Sequence, residues 1–266
     1  MMDELHRGAA GKAQWLNVSW DDKDIDWTGF DAAIIGTTWD YWDRLSEYLT
    51  TLNRIANLTR LYNPPEIIRW NIHKSYLVDL ERHGANIIPT LWFESVTQEA
   101  VNDAFDKLCT NDIVLKRQVG AGADGQHRLK RGDPIPAMPH PMMIQPFMQN
   151  IQTEGELSFV FIDGAFSHAL LKCSAEGDYR IQSTYGGTDH PIQPDPVDLA
   201  AAQALMQFID TPDGLPPLYA RVDMLRGEDG RLLLMELEMI EPFLYPLEGP
   251  GLGARLTDAL LNRVRV

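Results

Sequence analysis

Arg221-Val222-Asp223 and Glu236-Leu237-Glu238 stand on either side of Gly227-Glu228-Asp229-Gly230, and their pairing decides the fold. If Asp229-Gly230 are the central residues of a tight hairpin turn, paired positions sum to 459, so Asp223 faces Glu236 and Arg221 faces Glu238. Strand period two then puts these four on one face and Val222, Met224, Leu233, Met235, Leu237 and Met239 on the core face. Three carboxylates this close repel unless a cation lies between them, and hard divalent ions such as Mg²⁺ take oxygen ligands of this kind, usually completed by substrate phosphates. The alternative is a solvated acidic face on an ordinary hairpin.

With 266 residues, 44% of them hydrophobic, the chain is long enough for more than one compact unit. Its formal net charge of −15 argues against nucleic acid or an anionic membrane as the main partner. Cys109 and Cys173 alone cannot build a disulfide framework or a thiolate cluster, which fits a reduced, cytoplasmic setting. No signal-like start and no apolar run of membrane-spanning length is expected.

Strands are expected at 15–19, 31–36, 86–90, 112–117, 126–130, 142–145, 157–162 and 165–171, then in the 218–239 hairpin. Helices are expected at 44–58, 73–83, 97–108, 198–209 and 252–264, with Asn63-Pro64-Pro65 as a break. The first half reads as an αβ succession and the second as antiparallel sheet. A proline-rich connection, Asp133 to Pro141, marks a subdomain limit.

Lys116 runs into Gly120-Ala-Gly122-Ala-Asp-Gly125, which has the G-x-G-x-x-G spacing. A dinucleotide fold needs a helix next, but Gln126 to Pro141 is polar and proline-broken, and no Gly-Lys-Ser/Thr follows for a P-loop. The loop reads instead as a lid whose backbone N–H groups close over phosphates, or as a mobile surface turn. Lys74 opens a helix where its ammonium can reach a phosphate, or is an ordinary surface lysine. Gln145-Pro146-Phe147 can frame an adenine, Glu154 and Glu156 can meet ribose hydroxyls, and Lys172 and Arg180 flank a polar loop as substrate or phosphate contacts or as surface charge. Trp39-Asp40-Tyr41 follows a strand where an α/β unit presents its ligand loop, and reads as a substrate lip or as aromatic packing at a seam. The histidines form no ligand pair, so zinc is not expected.

In chain order, Lys74, Lys116 with its glycine loop, Gln145-Pro146-Phe147, Arg221/Asp223 and Glu236/Glu238 resemble the ATP-grasp superfamily. Thr38-Trp39-Asp40-Tyr41, Leu61-Tyr-Asn63-Pro64, Trp70-Asn71-x-x-Lys74-x-Tyr76-Leu77, Ile88-Pro89-Thr90, Gly155-Glu156-x-Ser158 and Glu236-x-Glu238-x-Ile240-Glu241-Pro242 are similar to the branch near glutathione synthetase that includes the O-ureido-serine cyclo-ligase of cycloserine formation. The resemblance implies an α/β (α+β) ATP-grasp fold in three parts: a shortened N-terminal subdomain at 1–70 whose first strand is missing or supplied by a neighbour, a small subdomain with the lid at 71–140, and a C-terminal subdomain with the metal site at 141–266. It implies ATP with Mg²⁺, or Mn²⁺, as cofactors. Lys74, Lys116, Gly120, Gly122, Gly125, Gln145, Pro146, Phe147, Glu154 and Glu156 would then hold the nucleotide, and Asp223, Glu236 and Glu238 the metal. Arg221, Arg180 and Lys172 would act on the reacting groups, and Trp39, Asp40 and Tyr41 would face substrate. The implied activity is carboxylate–amine ligation of a small amino-acid-like substrate through an acyl-phosphate, with a kinase or a non-catalytic nucleotide-binding protein as alternatives. A homodimer is one expected assembly.

Overall fold

The computed structural model describes residues 1–209 and 211–265. Helix α1 (Met2–Ala9) comes first, then a long irregular stretch to β1 (Ala32–Ile34). Helix α2 (Leu45–Leu58) leads to β2 (Arg60–Tyr62), which pairs with β1 in parallel, a small βαβ unit. Residues 15–19 are not a strand, contrary to expectation, and no βαβ unit is built from residues 1–20. Their role is to carry Trp20 into the aromatic core, where its indole N–H donates to Asp40 at 3.0 Å and its ring meets Tyr48 edge-on.

Pro64-Pro65 does not simply break the chain. Pro65 takes the first position of α3 (Pro65–Ile72), where a missing N–H is harmless and its fixed φ suits a helix. Helix α4 (Tyr76–Arg82) follows after a short break at His73–Ser75. The expected strand at 86–90 reduces to a single parallel bridge, Ile87 to Leu234, and the strand proper, β3 (Leu91–Phe93), starts beyond Pro89.

Next come α5 (Gln98–Lys107), capped by the Thr97 hydroxyl, then β4 (Asp112–Arg117), β5 (His127–Lys130) and β6 (Met142–Pro146). They form an antiparallel sheet in the order β3-β6-β4-β5, whose core holds Val101, Phe105, Ile113, Leu115 and Ile144. Strand β6, which follows the proline-rich connection, lies inside this sheet between β3 and β4.

Helix α6 (Asn150–Thr153) links to β7 (Glu156–Ile162), β8 (Ala165–Cys173), β9 (Thr188–Ile192), α7 (Pro196–Met206), β10 (Tyr219–Arg226), β11 (Leu232–Glu238) and α8 (Leu252–Val264). The five strands form an antiparallel sheet in the order β11-β10-β7-β8-β9. Every residue of β7 is buried, which explains why its sequence, Leu157-Ser-Phe-Val-Phe-Ile162, shows no polar alternation.

The last hairpin reaches the expected register by another route. Its loop is Glu228-Asp229-Gly230 with Gly230 at φ +80°, closed by Gly227 N–H donating to the Arg231 carbonyl at 2.8 Å. Near the loop the pairs sum to 458, as in Arg226 with Leu232, and an extra residue at Met235 then shifts β11 by one. Asp223 therefore does face Glu236, and Arg221 does face Glu238. The bulge also exchanges faces below it: Leu232 and Leu234 enter the core, whereas Leu233 and Met235, expected there, stay out of it.

β11 is an edge strand, and its outer edge is covered by side chains and backbone from the N-terminal half. Asn71 donates to the Leu237 carbonyl and accepts from Met239 N–H, both at 2.8 Å, and the Tyr76 hydroxyl accepts from Leu237 N–H at 2.9 Å. Asn63 binds the Met239 and Tyr219 carbonyls at 2.9 Å and accepts from Leu218 N–H. These buried amides satisfy backbone groups that would otherwise be orphaned, and they fix α3 and α4 along the strand.

Helices α1 and α8 cross at two glycines. A Cβ on Gly253 would lie 2.0 Å from the Glu4 carbonyl oxygen, and one on Gly8 would lie 2.2 Å from Ala254 N. Because backbone cannot yield as a side chain does, Gly253→Val should cost about 3 kcal/mol or more in urea unfolding. A variant as stable as wild type would show that α1 can leave α8 freely. Among the described residues, no helix is long and apolar enough to cross a membrane.

Candidate active site

The antiparallel register writes a lattice of charge on the sheet face turned to the cleft. Lys172 on β8 faces Glu156 on β7, and Ser158 on β7 faces Asp223 on β10, which faces Glu236 on β11. Lys172 Nζ lies 2.8 Å from Glu156 and 3.5 Å from Asp223. Arg221 binds both oxygens of Asp223 at 2.9–3.0 Å and also donates to Glu238, while Ser158 donates to Asp223. Lys74, carried in by the α3–α4 break, pairs with Glu236. Cross-strand neighbours this close interact strongly in a buried setting.

The titration of each group follows from its neighbours. Burial raises the Asp223 carboxyl, but Arg221 and Lys172 outweigh it and hold it at about 2. Burial pushes Glu156 up to about 7 against the pull of Lys172, and Glu238 up to about 7 against Arg221, with Glu236 adding repulsion. Burial drives Glu241 well above the carboxylate range, and Glu238 adds to this. Burial lowers Lys116, whereas Glu236 restores Lys74 to above its ordinary value despite burial.

All these groups line one cleft of about 500 Å³. Lys116 points in from β4 without a carboxylate in pairing distance among the described residues. The loop 117–126 covers part of the cleft and is held from below: Lys74 Nζ donates to the Gly120 carbonyl at 3.0 Å, and Arg117 pairs with Asp124. Gly125 has φ +64°, and a Cβ there would come 2.9 Å from the Arg117 side chain, so the loop's shape needs glycine at this point. Val114, Pro146, Met148, Ile151, Leu225 and Met235 give the cleft an apolar portion of the kind that suits a flat ring.

Several expected site residues stand differently. Gln145 and Phe147 line the cleft, but the Gln145 amide donates to Thr90 at 2.9 Å, Phe147 N–H is taken by the Asp112 carbonyl, and Arg128 lies 3.3 Å over the Phe147 ring. Glu154 is outside the cleft lining and pairs with Arg226 at 2.7 Å. Arg180 lines the cleft while held by Asp178 and stacked on Tyr185 at 3.7 Å. Of the aromatic segment only Trp39 reaches the cleft: Asp40 pairs with Arg44, and Tyr41 is core, stacked on Tyr48. Tyr41 falls inward because the turn after Asp40 is a 3₁₀ helix, which puts Trp42 in the lining instead. Glu241, Phe243 and Tyr245 also line it, and Tyr245 lies 5.3 Å from Lys172 Nζ and 5.7 Å from the Arg221 guanidinium. Their place in an irregular segment after β11 left no periodicity from which to read them.

The donor set suits a hard cation. Asp223, Glu236 and Glu238 offer only oxygen, share a face, and belong to a cluster with surplus acceptors, since Glu156 Oε2 is buried with no donor. As they stand, each is drawn to a lysine or arginine, and no group of three or more His, Cys, Asp or Glu among the described residues has a ready metal-ligand arrangement.

Residues 6–63 match the family model described as D-cycloserine synthetase DcsG, N-terminal domain. Over 262 residues the chain is 28% identical to the cycloserine biosynthesis protein DcsG of Streptomyces lavendulae, covering 92% of this chain and 87% of that protein. The crystal structure of D-cycloserine synthetase DcsG superposes with a TM-score of 0.85 at 25% identity, covering 99% of this chain and 94% of the other. The ATP-grasp ligase PsnB, in complex with minimal precursor, Mg and ADP, gives a TM-score of 0.68 at 16% identity over 99% of this chain and 93% of PsnB. D-alanine–D-alanine ligase from Bacillus anthracis gives 0.66 at 15% identity over 99% and 90%. The chain has the ATP-grasp fold, and its sequence is similar to that of the cycloserine biosynthesis protein DcsG.

Proposed function

We propose that this protein is an ATP- and Mg²⁺-dependent ligase of the carboxylate–amine type, acting on a small amino-acid-like substrate through an acyl-phosphate. The observation that carries the reading is the buried lattice in which Lys74, Lys172 and Arg221 interleave with Asp223, Glu236 and Glu238, beside Lys116 and under a glycine loop. The similarity to D-cycloserine synthetase DcsG and to the ATP-grasp ligases supports it. Mn²⁺ has the same ligand preference and would serve in place of Mg²⁺.

When bound, Mg²⁺-ATP supplies the phosphoryl group and the charge that neutralises it in flight. Asp223, Glu236 and Glu238 would hold the metal, which frees Lys74 and Arg221 from their present pairings. Lys74 and Lys116 would then meet phosphate oxygens. Arg221, with Lys172 behind it, would orient the substrate carboxylate, so that one of its oxygens bonds to the γ-phosphorus as the bond to ADP breaks. An amine then bonds to the acyl carbon, loses a proton, and phosphate departs. No protein nucleophile is needed.

The test is ADP and phosphate release with Mg²⁺ and ATP against amino acids, their ureido and hydroxy derivatives and small peptides. O-ureido-serine heads the panel because of the similarity to D-cycloserine synthetase. Substrate-dependent release of ADP and phosphate with a condensed or cyclised product is expected. ADP without free phosphate, together with a phosphorylated product, would make the protein a kinase; nucleotide binding without turnover would refute both.

A further inference from the structure

Glu241 differs from the four acids of the lattice in having no cationic partner. Glu156, Asp223, Glu236 and Glu238 each meet a lysine or arginine, but the Glu241 carboxylate, on a residue 7% exposed, lines the cleft with no ion pair and no hydrogen bond from another side chain among the described residues. A carboxylate buried without a charged partner is costly, and the cost is relieved either by taking up a proton or by the arrival of a cation.

The surroundings say what kind of cation. The indole N–H of Trp39 donates to the backbone carbonyl of Glu241 at 3.3 Å, which holds the Trp39 ring beside it. The Phe243 ring lies 6.5 Å from that of Trp39, and both remain exposed, Trp39 at 53% and Phe243 at 37%. Large aromatic faces left open beside an unpaired carboxylate provide what an organic ammonium needs, charge pairing together with cation–π contact. A bare metal ion would want oxygen ligands in that position instead. On the other side of the same turn, Arg221 donates to the Phe243 carbonyl at 3.0 Å, so a fixed guanidinium stands close by for a carboxylate.

We propose that Glu241, walled by Trp39 and Phe243, binds the ammonium group of a zwitterionic amino-acid substrate whose carboxylate is turned toward Arg221. The inference rests on the ligase reading for its substrate class, and it assigns the end of the substrate that the reaction does not phosphorylate.

Isothermal titration in the presence of Mg²⁺ and ADP tests it, with O-ureido-serine and its 2-hydroxy counterpart as probes. The wild type should bind the amino compound at least about 10-fold more tightly. Glu241→Gln, which keeps the side-chain volume, should lose about 10- to 100-fold for the amino compound, little for the hydroxy compound, and nothing for Mg²⁺-ADP. Trp39→Ala, at an exposed position that does not carry the fold, should lose roughly 3- to 10-fold in the same selective way, so the result does not hang on one variant folding. Unchanged discrimination in both variants, a loss confined to Mg²⁺-ADP affinity, or a wild type that binds neither probe would overturn the proposal. ADP release measured on the same samples separates the two readings: selective binding without turnover keeps the ammonium subsite and rejects the ligase.

Discussion

Glu238→Gln should reduce ATP-dependent turnover by about 1,000-fold, roughly 4 kcal/mol of lost charge stabilisation, while leaving the protein at least as stable as wild type at pH 8. Loss of activity follows if the carboxylate holds the metal against the phosphates. Retained stability follows from the electrostatics of the lattice. Burial and Glu236 push the Glu238 carboxyl up to about 7 even though Arg221 lies against it, so its charge costs more in the folded protein than its ion pair returns. Its side chain is 25% exposed, and Arg221 keeps both oxygens of Asp223 when Glu238 is neutral.

The sign can be checked by pH. A carboxyl whose folded pKa of about 7 exceeds its unfolded value near 4.5 binds its proton more tightly when folded. Its stabilising contribution is present below the unfolded value and is lost as pH rises through the folded one. The melting temperature of Glu238→Gln relative to wild type should therefore rise between about pH 4.5 and pH 8 and vanish at the acid end, where both side chains are neutral. A variant less stable than wild type at pH 8 would show that the Arg221–Glu238 pair dominates instead.

Asp223→Asn should lose both properties. This carboxylate is held at about 2, accepts from Arg221, Lys172 and Ser158, and is almost wholly buried. Removing one partner of a buried pair leaves the other charge uncompensated, commonly at 3–5 kcal/mol. Here Lys172 retains Glu156 and Arg221 retains Glu238, so the low end, about 3 kcal/mol in urea unfolding, is expected. Turnover should be undetectable in the folded fraction. The contrast between the two variants is the informative result, because a plain acidic surface would show neither the stability difference nor its pH dependence. Equal stabilities would place Asp223 and Glu238 in the same environment, against the geometry.

Much of the lining of the candidate cleft could be read from residue types in chain order. Lys74, Lys116, Lys172, Arg221, Asp223, Glu236 and Glu238 do converge on one cleft, and Gly120, Gly122 and Gly125 do form its loop. Residues whose position depends on irregular backbone could not be read. Trp42 rather than Tyr41 reaches the cleft because of a 3₁₀ turn, and Glu241, Phe243 and Tyr245 lie in a segment with no repeat to follow. Glu154, two residues from Glu156, points away from the cleft because it precedes the strand and is claimed by Arg226.

The final hairpin separates what sequence and tertiary structure each determine. Alternation, turn residues and opposite charges by themselves determined that Asp223 would face Glu236 and Arg221 would face Glu238. Only the folded chain decided how, through a three-residue loop and a compensating bulge at Met235 that sends Leu234 rather than Leu233 into the core. A one-residue bulge leaves no mark in composition, and it persists here because neighbours distant in sequence hold β11 on both sides of it. Asn86 and Ile88 bind Leu234, and Tyr76 and Asn71 bind Leu237 and Met239. Register near a turn is local chemistry, whereas register at the far end of a strand is set by whatever satisfies its backbone from across the molecule.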